Sequence, residues 1–192
     1  MRPALLFALF TTGTLFAADP MYVSVCNLGG LPESTVARAK AETEAAFRSA
    51  EVRIEWKGCD EDPAATPWFT LRLRSDEPPK MAGASSLDAM GRAFVTPRGE
   101  GYLADAYFKA IQELAGRHQA NTADLLGYVM AHELGHLLLG PGHVPGGVMR
   151  AKWSVNELTA LRQQWLQFNP VQRARIRQQL QRRAELQPAE AR

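Results

Sequence analysis

Residues 121–149 read NTADLLGYVMAHELGHLLLGPGHVPGGVM, and the reading of this stretch governs the rest of the chain. Asn121 is a good helix N-cap with Asp124 three positions on. Leu125, Val129, Leu134 and Leu138, beside Leu126, Met130 and Leu137, recur at helical spacing. The pattern predicts a helix over 122–139, stopped by Gly140-Pro141-Gly142. Inside it, His132-Glu133-Leu134-Gly135-His136 is H-E-x-x-H in the helical context that motif requires. Side chains four residues apart stand about 40° apart around a helix and one turn apart in height, so both imidazoles reach one ion. Neutral imidazole suits zinc, and a catalytic site keeps one position open for water. Glu133, one residue further round, is turned away from ligation. Its expected role is general base toward a water at the metal, then proton shuttle. Three of the four histidines fall between positions 132 and 143, which weighs against a chance pattern.

Toward the N-terminus, Tyr22–Cys26 alternates and is rich in β-branched residues, so it reads as a strand. Pro32-Glu33-Ser34 opens a helix running to about Ala50, and Val52–Trp56 alternates as a second strand. Strand, helix, strand implies a parallel pair joined by a crossover. Trp68–Arg74 is a third strand, followed by a long loop over 75–89. Gly91–Thr96 is a fourth strand, read as an edge because Pro97 caps it. Tyr102–Phe108 is a fifth, passing into a helical stretch through Leu114. Toward the C-terminus, Ser154-x-x-Glu157 is a capping box for a helix through about Phe168, and Asn169-Pro170 opens another through Glu185. The expected fold class is α/β (α+β): a twisted, mixed five-stranded sheet with two long helices and a small helical C-terminal lobe.

The segment from His132 to Met149 resembles the metzincin zinc peptidases, of the matrixin and archaemetzincin kind, whose signature is H-E-x-x-H-x-x-G-x-x-H followed by a methionine turn. The order of elements over 21–149 is also that of a metzincin upper domain. The resemblance implies one zinc ion held by His132, His136 and His143, Gly140 as the exit from the helix, and Met149 beneath the metal. It implies peptide-bond hydrolysis, with the edge strand Gly91–Thr96 taking an extended peptide or protein substrate by strand pairing. One departure matters: three residues separate His136 from Gly140, where the family has two. The extra residue rotates the helix exit by about 100° and moves it about 1.5 Å. The rival third ligand is Glu157, which would make the site resemble gluzincins such as thermolysin. The capping box gives Glu157 a different use, and both options stand at this point. A reading from another class is a non-catalytic, zinc-stabilised peptide-binding module using the same edge. Glu133 weighs toward the enzyme, because a structural site needs no base.

At 192 residues the chain suits one domain with a small appended lobe, here 19–149 and 150–192, and a monomer is expected. A net charge of +2 gives no bulk electrostatic case for a nucleic-acid or membrane partner. The arginines after Asn169 lack interleaved aromatics and read as the solvated face of an amphipathic helix. Met1-Arg2, the apolar run to Phe16 and the small pair Ala17-Ala18 read as a signal peptide over 1–18, placing the protein outside the cell or in the periplasm with no stable membrane insertion after cleavage. An uncleaved anchor is the alternative, for which the run is short. Cys26 and Cys59 suit a single disulfide in an oxidising compartment, against the alternative of two buried thiols. Trp153 and Trp165 read as packing anchors, and His118 as a surface residue.

Overall fold

Period-two alternation becomes sheet as expected: in Trp68–Arg74 the residues Phe69, Leu71 and Leu73 are fully buried while their neighbours are half-buried. The computed structural model describes residues 20–61, 68–78, 90–163 and 165–186. The predicted signal peptide and most of the 75–89 loop lie outside the described residues. The strands are β1 (Met21–Asn27), β2 (Ile54–Lys57), β3 (Trp68–Arg74), β4 (Gly91–Phe94) and β5 (Leu103–Tyr107). The helices are α1 (Glu33–Arg48), α2 (Phe108–His118), α3 (Thr122–Leu139), α4 (Val155–Arg162) and α5 (Pro170–Glu185).

The sheet order is β2-β1-β3-β5-β4, parallel except for β4, which runs antiparallel to β5 at the edge with Gly91 opposite Ala106 and Ala93 opposite Ala104. The fold is therefore the mixed α/β sheet anticipated from the sequence. β1, α1 and β2 form the parallel crossover, and Cys26 and Cys59 close a disulfide with Cα atoms 4.7 Å apart. A bridge closing a loop of this length contributes about 3–4 kcal/mol on the loop-entropy account.

Helix α3 sits at the centre. Nearly every side chain from Leu125 to Leu138 is buried, as expected for a helix packed on several sides. Asn121 accepts from the N–H groups of Ala123 and Asp124 at 2.9 and 3.1 Å, and the Asp124 carboxylate pairs with Arg38 of α1. One turn further, Gly127 lets the backbones of α1 and α3 meet: a Cβ there would lie 2.5 Å from the Ala39 carbonyl oxygen, and the Thr43 hydroxyl donates to the Gly127 carbonyl at 2.9 Å. These contacts fix α3, and with it the H-E-x-x-H face, between α1 and strands β3, β5 and β4.

The C-terminal helices depart from expectation. Helix α4 ends at Arg162 instead of Phe168, because the chain leaves the helix so that Leu166 and Phe168, two residues apart, both enter the core, Phe168 against Phe47 with centroids 5.0 Å apart. Trp153 is buried as an anchor, whereas Trp165 is 72% exposed. Helix α2 continues past Leu114 to His118. The arginines of α5 are not simply a solvated face. Arg173 and Arg177 donate to the Ser49 and Ala50 carbonyls at 3.3 Å each, the end of α1 where carbonyls lack helical partners. Arg183 is buried between the rings of Phe69 and Tyr102 and donates to the carbonyls of Gly101 and Leu137 at 3.0 and 2.6 Å. No helix among the described residues is long and apolar enough to cross a membrane.

Candidate metal centre

His132 and His136 project from one face of α3, and the chain beyond the helix brings a third imidazole to them. Gly140 takes φ 85° and ψ −175°, a conformation that a side chain disfavours, and Gly142 follows at φ 130°. These two glycines absorb the extra helical residue, and His143 returns to the site despite it. The Nε2 of His136 lies 3.0 Å from that of His132 and 3.2 Å from that of His143. All three candidate ligand nitrogens fall within 4.8 Å of one another.

The other ring nitrogens explain this convergence. His132 Nδ1 is 2.7 Å from the Val148 carbonyl and His136 Nδ1 is 3.1 Å from the Gly140 carbonyl. A carbonyl oxygen only accepts, so each Nδ1 carries the proton and each Nε2 presents a lone pair. Two unprotonated nitrogens 3.0 Å apart repel unless a cation lies between them. Imidazoles binding at about 2.0–2.1 Å in tetrahedral geometry would space their nitrogens about 3.3 Å apart, close to the separations of His136 from His132 and from His143. The three histidines can therefore hold a metal ion. Burial lowers the basicity of all three, driving His132 down to about 3 and shifting His136 and His143 in the same direction, so the donors are kept deprotonated.

Glu133 lies beside the histidines in the sequence and lines the same cleft. Its carboxylate is buried and accepts from the Ala93 N–H of β4. Burial first, then that bond acting in opposition and the negative charge of Asp105, leave its pKa pushed up to about 8. A neighbouring cation would draw it back down. The space for the carboxylate exists because β4 carries no side chain at Gly91.

Met149 packs beneath the site. A Cβ on Gly135, the small residue of the H-E-x-x-H motif, would lie 2.5 Å from the Met149 sulfur, so this glycine is what lets Met149 approach. The turn that delivers it is closed by Val144 N–H donating to the Met149 carbonyl at 3.0 Å. It is pinned from outside by Val148 N–H donating to the Gln167 carbonyl at 3.3 Å. Gly147, at φ 78°, passes so close that a Cβ would meet the same Gln167 oxygen at 2.6 Å. The segment after α4 thus holds the turn whose Val148 carbonyl orients His132.

Glu157 is not part of the cluster. Its carboxylate completes the capping box, accepting from the Ser154 N–H and hydroxyl at 2.9 and 2.6 Å, and pairs with Arg150 at 2.6 Å. The hydrogen bonds to Ser154 and Arg150 hold its pKa below the usual carboxylate range against the effect of its burial. Of the two candidate third ligands, only His143 is brought to the other histidines.

A cleft of about 490 Å³ opens over the cluster, walled by β4 on one side and by Arg150, Ala151 and Trp153 on the other. No family model matches the chain, and no curated protein does. The site's definition therefore rests on its own geometry. Two contributors escaped the sequence reading: Gly91, for which a glycine inside a strand was the available signal of close approach, and Arg150, whose place in the cleft wall has no sequence signature.

Proposed function

We propose that this chain is an exported zinc metallopeptidase of the metzincin kind. The observation that carries the reading is a buried carboxylate, Glu133, in the same cleft as three convergent imidazole nitrogens that can hold a cation. An all-imidazole donor set favours zinc over harder ions. Zinc bound there would polarise a peptide carbonyl and lower the pKa of water toward neutrality. Three protein ligands suit a catalytic site with an open position better than a closed structural one.

The protein groups supply the rest. The outer edge of β4 has no strand beside it among the described residues, and it offers its backbone to an extended peptide alongside α3. Glu133 accepts a proton from water as the water oxygen bonds to the carbonyl carbon. The C–N bond breaks, and Glu133 delivers that proton to the departing nitrogen. Ala93 N–H holds the carboxylate while it does so. The disulfide suits an oxidising compartment, in keeping with export. All three ligands come from one chain, so a monomer suffices.

The test is Glu133→Gln. The variant should keep stoichiometric zinc by elemental analysis and lose peptide hydrolysis by about 10²–10⁴-fold, the usual contribution of a general base. Unchanged activity would end the mechanism, and loss of the metal would mean that Glu133 is a ligand instead.

A further inference from the structure

The wall of the cleft that follows Met149 carries a charge the mechanism does not use. Arg150 lines the cleft, and its side chain keeps 36% of its surface exposed. It is held from behind: Nη1 donates to Glu157 Oε1 at 2.6 Å, and the other Glu157 oxygen is fastened by Ser154. Glu157 itself is buried and does not line the cleft, so the pair turns its positive end toward the opening. A guanidinium has five N–H donors in a rigid plane, which leaves donors beyond the Glu157 contact for a ligand. Trp153, in the same wall, has a buried Nε1–H with no acceptor. Across the cleft, β4 adds Arg92, and Glu133 is the only carboxylate among the described lining residues.

We infer that the cleft selects peptides bearing a carboxylate side chain near the bond to be cut, and that Arg150 is the specificity-determining residue, with Glu157 positioning it. A small apolar residue in place of Arg150 would have enlarged the cleft for apolar side chains. A buried acid dedicated to holding an arginine at the mouth favours anionic ones instead. Bidentate pairing of guanidinium with carboxylate would set both the preference and its geometry. The inference rests on the peptidase reading for the identity of the ligand as a peptide.

The experiment measures equilibrium binding to zinc-loaded Glu133→Gln protein, in which turnover is slowed about 10²–10⁴-fold, using end-blocked fluorescent peptides that differ only by Glu, Gln or Lys at one scanned position. At one position or more, the Glu peptide should bind about 10- to 100-fold tighter than the Gln peptide, the scale of a hydrogen bond to a charged group. The preference should vanish when Arg150→Gln and Glu157→Gln are added together. That pair removes both charges and strands neither, and Gln still serves a capping box. Arg150→Lys, which keeps a cation against Glu157 but not the planar fork, should hold zinc and lose most of the preference. Equal binding of Glu and Gln peptides at every position, or a preference that survives either substitution, would overturn the assignment. Cleavage by the wild-type protein without regard to acidic residues would overturn it and leave the peptidase reading standing. Selective binding without any cleavage would do the reverse.

Discussion

Gly91 of the edge strand lies so close to Glu133 that a Cβ there would sit 2.5 Å from Oε1 and 2.6 Å from Cγ. The edge strand and the Glu133 carboxylate are thus fitted to each other, with Ala93 supplying the N–H that fixes the carboxylate. Gly91→Ala should therefore displace Glu133 without touching a metal ligand. We expect zinc content to be retained, stability to fall by about 1–3 kcal/mol as for overpacking, and hydrolysis to drop about 10²-fold, the scale of a misplacement near 1 Å. Full activity in the alanine variant would show that the carboxylate tolerates rearrangement.

The third ligand is open to a paired comparison. His143→Ala removes one of three converging nitrogens and should lower zinc affinity sharply, as read by competition with a chelator. Glu157→Ala should leave zinc bound and instead cost about 1–3 kcal/mol in urea denaturation, since it removes a helix cap and a hydrogen bond to Arg150. Zinc lost with Glu157 and retained without His143 would overturn the three-histidine site.

Acidity separates the roles of the site residues in the metal-free protein. His132 is held down to about 3 from an ordinary 6.5, so the unfolded chain takes up a proton that the folded one refuses. Stability contributed this way is present above about pH 6.5 and lost as pH falls toward 3. Glu133 runs oppositely: raised from 4.5 to about 8, it gives stability that is present below 4.5 and lost as pH rises to about 8. Between about pH 6.5 and 8 only the Glu133 effect operates, so thermal melts of metal-free protein should show stability declining across that window. The decline should be absent in Glu133→Gln. Parallel pH profiles for the two proteins would refute the burial-raised carboxylate.

Much of this architecture was legible from periodicity. Helices α3 and α5 fall where the caps and spacing predict them, because Asn121, Asn169 and Pro170 are local signals that tertiary context did not override. The strands, the parallel crossover and the edge position of β4 followed from alternation and Pro97, whereas the antiparallel direction of β4 had no signal in the strand itself. The candidate ligand pair at 132 and 136 was legible because a helix fixes the geometry of residues four apart. His143 was ambiguous because its position depends on Gly140 and Gly142, whose positive φ values no pattern encodes. The C-terminal end of α4 and the burial of Arg183 were not legible. Both depend on which surfaces meet across long sequence separations, as between Arg183 and Gly101 or between Phe168 and Phe47.

Arg183 offers the clearest test of that last point. It lies on a helix whose sequence reads as a solvated arginine face, yet its guanidinium is buried and satisfies the Leu137 carbonyl, one residue beyond His136, together with the Gly101 carbonyl. The Leu137 group belongs to the last turn of α3, where carbonyls have no partner within the helix. Replacing Arg183 by Met keeps an apolar stem between Phe69 and Tyr102 but leaves both carbonyls without their charged donor. Each such loss costs about 1–3 kcal/mol when the group stays buried, so urea denaturation should show a deficit of about 2–6 kcal/mol. Arg183→Lys should recover only part of it, because one ammonium lacks the planar fork that reaches two carbonyls while stacking on two rings. Zinc should raise the melting temperature of the variant as much as that of the wild type, since no ligand is touched. A deficit below about 0.5 kcal/mol, the size of a surface substitution, would return Arg183 to the solvated face its sequence describes.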